Sequence, residues 1–159
     1  MTGLPLLHLD QLYWRPGWRK TPKAEWERIV ADLAARDEWI MDGCYDSSFH
    51  IRMPRADTII WLDLPRRIAF PRVLRRIALS FGRVRQDAAP GCPEWLDWEF
   101  LRWAWTFRRV HAGIYRQALV EYASHTNVYM FDSTPAANRF FENLRSSSPK
   151  GGSANKLNP

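Results

Sequence analysis

The chain predicts an α/β domain with a parallel sheet, and three observations carry that prediction. Apolar runs at 4–9, 39–41 and 58–62 each lead into a carboxylate: Asp10, Asp42 and Asp63. Strand-like and helix-like patterns alternate, as crossovers between parallel strands require. A long helical stretch, about 66–122, follows the third run and would lie as a lid over one end of the sheet. Ligands of open α/β sheets sit outside the carboxyl ends of the strands, so the three aspartates would load one edge with acid. Aspartate also breaks strands and caps helices, which accounts equally well for any one of them alone.

Residues 4–9 read as a buried strand, because only His8 interrupts the apolar run. Residues 11–20 read as a loop of aromatic and basic side chains with a turn at Pro16-Gly17. Thr21 as N-cap and Pro22 at the first helical position open an amphipathic helix to about Arg36. Its buried face is Trp26, Ile29, Val30 and Leu33, at i, i+3, i+4 and i+7. The next strand ends at the Asp42-Gly43 turn, where glycine would let backbone approach a pocket. Residues 46–55 read as loop with a helical turn, and Thr58–Leu62 as a buried, β-branched strand.

Past Asp63-Leu64-Pro65 a basic helix groups Arg72, Arg75 and Arg76 at i, i+3 and i+4. Pro71 implies that this helix starts near it or kinks there. Residues 81–93, with Gly82, Pro90, Gly91 and Pro93, read as a mobile loop carrying Arg83 and Arg85. One long helix at 94–122 would bury Leu96, Phe100, Trp103, Phe107, Val110 and Ile114. A strand at 127–131 and a helix at 135–145 complete a domain spanning 1–145. The Ser/Gly/Asn/Pro-rich residues 146–159 read as a disordered tail.

At 159 residues the chain can bury a single real core. Nine tryptophans call for large apolar surfaces or for ligands to stack on. The net charge of +6 is almost wholly arginine, 19 against 4 lysines, and residues 52–116 hold 13 arginines against 6 acids. Guanidinium groups pair bidentately with phosphate and carboxylate, so anionic partners are expected. Cys44 and Cys92 stand far apart with no histidine at metal spacing, which argues against a disulfide scaffold or a zinc site. No apolar run approaches a membrane span and the first residues form no signal peptide. A cytoplasmic protein without a membrane partner is therefore expected.

Acids at strand ends facing an arginine-rich lid are the parts of a phosphoryl-transfer site. Such sites work by positioning and by charge neutralisation, with Arg and Mg²⁺ as the usual agents. Arg72, Arg76, Arg83 and Arg85 cluster enough to favour ligand contact. Arg66, Arg67, Arg108 and Arg116 read as solvating helix faces. The phosphate cradle such a site needs is a glycine-rich turn ending Gly-Lys-Ser/Thr between a strand and a helix, and the chain contains none. Lys150-Gly151-Gly152-Ser153 has neither the spacing nor a strand before it.

An ordered set of motifs offers an explanation: His8-Leu9-Asp10, Tyr13-Trp14-Arg15-Pro16-Gly17-Trp18, Trp39-Ile40-Met41-Asp42-Gly43-Cys44-Tyr45, Ala56-Asp57-Thr58-Ile59-Ile60-Trp61-Leu62-Asp63-Leu64-Pro65-Arg66 and Gly91-Cys92-Pro93-Glu94. In that order, over about residues 3–131, the chain resembles the adenylate-kinase-related P-loop proteins often labelled DNA topology modulation proteins. Members of that family open with a strand, a Gly-x-x-Gly-x-Gly-Lys-Ser loop and a helix before reaching His-Leu-Asp. The resemblance therefore implies a three-layer P-loop nucleotide-kinase-like parallel sheet, N-terminally truncated. It would lack the first, central strand, the P-loop and most of the first helix, and the sheet would have a gap or an unpaired edge.

The family's cofactors are ATP and Mg²⁺, and its site residues carry over as expectations. Asp42-Gly43 is similar to the Asp-Gly beside the magnesium and acceptor site, with Asp42 a catalytic carboxylate holding Mg²⁺ through water. Arg52 resembles the arginine that holds the acceptor phosphate, with Gly43, Tyr45 and Tyr13 on the substrate side and Asp10 near the acceptor as a base. Arg72 and Arg76 resemble nucleotide-binding arginines at the start of the lid. Arg83 and Arg85 follow in the lid, and Arg102 and Arg109 are weaker lid candidates. Cys44 stands where the family usually has Asn, and Pro71 interrupts the lid helix.

The expected function is a nucleotide-kinase-like, ATP-dependent phosphotransferase using a nucleotide and an unidentified phosphate acceptor. As this chain stands, activity would be weak or absent and aggregation favoured. The alternative is a nucleic-acid-binding module influencing DNA topology, with Arg interleaved among Trp and Phe. The assignment of the aromatics at 94–122 to the core speaks against it. A third reading is a pseudoenzyme or fragment. An in-frame Gly-x-x-x-x-Gly-Lys-Ser/Thr just upstream of Met1 would mark a mis-assigned start, and a stop codon a true truncation.

Overall fold

Three strand pairs, none hydrogen-bonded to another, organise residues 3–122 and 124–147, the part of the chain that the computed structural model describes. β1 (Leu6–His8) pairs in parallel with β4 (Ile40–Asp42), and β5 (Thr58–Leu62) in parallel with β6 (Asn127–Phe131). β2 (Trp14–Arg15) and β3 (Arg19–Lys20) form a small antiparallel hairpin. The fold is thus mixed α/β with short parallel sheets and seven helices among the described residues. The one sheet expected from the sequence is divided in two.

The first parallel pair is covered by α2 (Lys23–Ala34), whose Trp26, Val30 and Leu33 bury against Leu9, with Leu7 and Met41 packed alongside. The helical spacing predicted that face. Thr21 does not cap the helix: its hydroxyl donates to the carbonyls of Leu12 and Tyr13, and Pro22 takes the N-cap position. The first strand is shorter than 4–9, because the chain turns into α1 (Leu9–Tyr13) as Leu9 goes fully under α2. Asp10 therefore lies in the first turn of a helix, where the free N–H groups favour a carboxylate, and not at a strand end. The loop expected at 11–20 is the end of α1 and the hairpin, turning at Pro16-Gly17.

The second pair packs on α6 (Ala112–Tyr122), where Trp61, Tyr115 and Leu119 meet Phe49 and Met53 from α3 (Phe49–Arg52) and the 3-10 turn after it. On the other face α7 (Thr134–Ser147) sets Phe140 against Tyr129 and Phe131. The long helix expected at 94–122 is two, α5 (Trp98–Val110) and α6, broken at His111. The buried face is a different one from that expected: Leu101 of α5 and Ala112, Tyr115 and Leu119 of α6 turn inward, while Trp103, Val110 and Ile114 stay exposed. Leu96 precedes the helix and is also exposed.

α4 (Arg66–Ser80) contains Pro71 well inside it and does not begin there, leaving the Arg67 carbonyl without its helical donor. The loop 81–93, expected to be mobile, is closed and docked. Glu94 bridges its ends through Gly82 N–H to Glu94 O (2.7 Å) and Glu94 N–H to Arg83 O (2.9 Å). Gly17 N–H donates to Gly91 O, Trp18 Nε1 to Pro93 O and Cys92 Sγ to Arg15 O, fastening the loop to the hairpin. The predicted tail falls mostly outside the described residues, and Ser146 and Ser147 still belong to α7. Among the described residues no helix is long and apolar enough to cross a membrane.

Trp26 fills the centre of the α2 contact. Trp26→Ala should lower the unfolding free energy by about 3–5 kcal/mol, read as a fall in the urea midpoint at unchanged slope.

Candidate functional site

The carboxyl ends of β1 and β4 gather the chemistry. Their register sets His8 opposite Asp42, and His8 Nδ1 lies 3.0 Å from Asp42 Oδ2. With a proton on Nδ1 the imidazole donates to the carboxylate, which leaves Nε2 free to accept a proton from a ligand. One helical residue further on, Asp10 accepts the Tyr45 hydroxyl at 2.5 Å, the length of a charge-assisted bond. Burial and then that bond push the Tyr45 hydroxyl far above its ordinary pKa, so it remains a donor. Tyr13 packs its ring 4.5 Å from Tyr45 and 5.0 Å from Trp26, supporting Tyr45 from behind.

Between Asp42 and Tyr45 the backbone makes a turn that only glycine fits. Gly43 has φ +145°, and a Cβ there would meet Leu9 Cβ at 2.9 Å and the Tyr45 ring at 3.2 Å. The sequence predicted an approach to a pocket; the close neighbours are Leu9 and Tyr45. The Gly43 carbonyl points at Arg52, whose Nη2 donates to it at 2.8 Å and to the Tyr45 carbonyl at 3.4 Å.

Arg52 is only 8 % exposed, and among the described residues it has no carboxylate partner. Its Nε is buried with no acceptor. Burial draws its pKa down, with Cys44, Tyr115 and Asp42 nearby acting in the opposite direction. A desolvated guanidinium with donor capacity in hand is a site for an anion.

The lid arginines divide. Arg85 donates to Glu94 (2.6 Å) and to both oxygens of Asp87, and Arg76 Nη2 lies 3.4 Å from Glu94. Burial and the neighbouring Arg85 charge both lower the Arg76 pKa, while Glu94, Asp87 and Asp10 raise it. This cluster neighbours the strand-end acids, Asp10 being among the carboxylates that raise the Arg76 pKa. Gln11 Nε2 joins the two by donating to Gln86 O at 2.5 Å. Arg72 turns away to the Thr134 hydroxyl at the start of α7. Arg83, Arg102 and Arg109 stay exposed, outside the cluster.

Several residues had other roles than the sequence indicated. Asp63 is buried and clamped by Arg108, through Nε and Nη2 at 3.1 and 3.3 Å, and by Arg116 at 2.6 Å. Neither arginine merely solvates a helix face, and Asp63 is a structural acid with no share in a loaded edge. Arg66 likewise stacks over Trp105, 3.9 Å from the ring centroid. His8 and Glu94 were not singled out. The signal for His8 was its place two residues before Asp10, and that for Glu94 was the lack of any other acid between Asp87 and Asp97.

Among the described residues no three metal-ligating side chains converge. Asp42, with an exposed side chain, offers Mg²⁺ a single carboxylate, which fits a metal that keeps most of its water and takes its other ligands from substrate phosphates. No family model matches the chain, and neither curated proteins nor solved structures give a match.

Cys44 is reachable at the surface, yet burial of its thiol, and then the charges of Asp42, Asp10 and Asp46, push its pKa up against the pull of Arg52. Iodoacetamide at pH 8 should therefore modify Cys44 more slowly than a free thiol, with fully buried Cys92 protected until unfolding. Peptide mapping of the native protein reads both. Burial pushes the Asp87 carboxyl up, but Arg85 prevails and holds it below the usual range. Its stabilisation is present above the unfolded-state value and lost as pH falls through the folded one. Asp87→Asn should flatten the acid side of the stability–pH curve, as followed by thermal melts between pH 6 and pH 3.

Proposed function

We propose that the strand-end cluster is the acceptor-side half of a nucleotide-kinase-like phosphotransferase site. In this reading Arg52 holds the phosphate of a phosphorylated acceptor such as a nucleoside monophosphate. His8 Nε2, oriented by Asp42, accepts a proton from the attacking hydroxyl or phosphate. Tyr45, kept protonated by burial and by Asp10, donates a hydrogen bond to the acceptor, and Gly43 shapes the turn. Arg76 and Arg85, fixed by Glu94, supply positive charge across the site. Mg²⁺ bound through water at Asp42 would neutralise charge on a donor nucleotide. The single observation that carries the reading is Arg52: a buried cation without a carboxylate, whose Nε has no acceptor.

The separation of the two parallel pairs supports the same reading, since the resemblance implies a sheet interrupted at its centre. These 159 residues contain no glycine-rich phosphate cradle, so transfer from ATP by this chain alone is proposed to be weak or absent.

The test is thermal unfolding with inorganic phosphate at millimolar concentrations. The native chain should gain thermal stability with ligand concentration, as a ligand that binds only the folded state requires. Arg52→Met, which replaces a desolvated cation with an apolar side chain of similar length, should fold and lose the response. An equal shift in both proteins, or none in the native chain, overturns the assignment. Rapid ATP-dependent phosphorylation of AMP by the purified chain overturns the second half of the proposal.

A further inference from the structure

A second arginine-rich surface lies where α4 begins and α5 ends. A cleft of about 500 Å³ opens there, within the roughly 300–1,000 Å³ range of small-molecule sites. Its walls carry three guanidinium groups, Arg66, Arg67 and Arg108, and two aromatic rings, Phe70 and Trp105. Prolines at both ends of the α4 segment, Pro65 and Pro71, stiffen its rim.

The parts are set in place before any ligand arrives. Phe70 meets Trp105 edge to face, with centroids 4.9 Å apart, and Arg66 covers the indole at 3.9 Å. Both oxygens of Asp63 hold Arg108, and the same carboxylate is shared with Arg116. Its one negative charge is thus divided between two guanidinium groups. Arg66 and Arg67 have no carboxylate partner among the described residues. Trp105 remains 48 % exposed with Arg66 over its ring.

We propose that this cleft binds a nucleotidyl unit, a planar heteroaromatic base carrying a phosphate. The base extends the Trp105–Arg66 stack, and the phosphate meets Arg67 and the outward side of Arg108. An inorganic anion would leave the rings unused, and an uncharged apolar ligand would desolvate unpaired guanidinium groups. The unit can be a free nucleotide or one residue of a single strand; the chemistry of recognition is the same. The site shares no residue with the strand-end cluster, so it stands or falls independently of the phosphotransferase reading.

The experiment is titration of the full chain at low salt with AMP, with a fluorescein-labelled dT12 oligonucleotide followed by anisotropy, and with inorganic phosphate as competitor. Arg67→Ala and Trp105→Leu, each made in an Arg52→Met background that removes the strand-end site, should each weaken binding roughly tenfold relative to Arg52→Met alone. AMP affinity that falls with both cleft substitutions identifies a free nucleotide. A loss confined to dT12, together with a steep salt dependence, identifies a strand. The proposal is overturned if neither probe binds Arg52→Met, if both cleft variants bind as that parent does, or if phosphate competes as well as AMP. Arg67 is exposed and unpaired, so Arg67→Ala remains a fair test even if Trp105→Leu fails to fold, which circular dichroism shows.

Discussion

The two parallel strand pairs share no ladder hydrogen bond, so the site depends on what holds them side by side. That role falls to α3 and the turn after it. Phe49 and Met53 bury in the core against Trp61 of β5, while Ile51 packs into the core under β1 and β4. The Tyr115 hydroxyl, from α6, donates to the Cys44 carbonyl just past β4. Arg52, at the end of α3, takes the Gly43 and Tyr45 carbonyls, and Arg55 takes the Ala34 carbonyl at the end of α2. Side chains and a short helix perform the lateral joining that a continuous sheet would obtain from backbone ladders. The guanidinium of Arg52 thereby sits where it can both brace the fold and meet an anion.

Charge is distributed by the same logic. Glu94 and Asp63 are buried, and each is held by two arginines, Arg76 with Arg85 and Arg108 with Arg116. Removing one partner of such a pair strands a charge, whereas the intact pair fixes geometry more than it adds stability. Glu94 also closes the 81–93 loop through its own backbone, so the arginines nearest the strand-end cluster are positioned by a docked segment. Arg52 is buried, and Arg66 and Arg67 exposed, each without a carboxylate ion pair among the described residues.

One face of each parallel pair is covered more fully than the other, and on β5–β6 the second face is covered by α7 only in part. Leu6, Ile40, Ile60 and Leu62 are all exposed, although parallel strands are usually apolar because helices cover both faces. The apolar composition of these strands, which led to the expectation of a fully buried sheet, thus exceeds what the described residues bury. The same mismatch appears on α5, where Trp98, Trp103 and Trp105 remain exposed despite regular helical spacing.

By itself the sequence determined the local elements: β5 and β6 at their observed bounds, the buried face of α2, and the turn at Pro16-Gly17. Each follows from short-range periodicity or backbone preference, which neighbours in sequence decide. It also marked Asp42, Asp10, Tyr45 and Arg52 as worth attention, and these four do come together. Only the tertiary structure decided the partners. Whether Arg108 solvates a helix or clamps Asp63, 45 positions away, depends on a contact that no local pattern encodes. The pairing of His8 with Asp42 needed the strand register, and packing against Phe49, Met53 and Trp61 chose which face of α6 turns inward. The division of the sheet was decided in space as well, because ladder hydrogen bonds join residues that are distant in the chain.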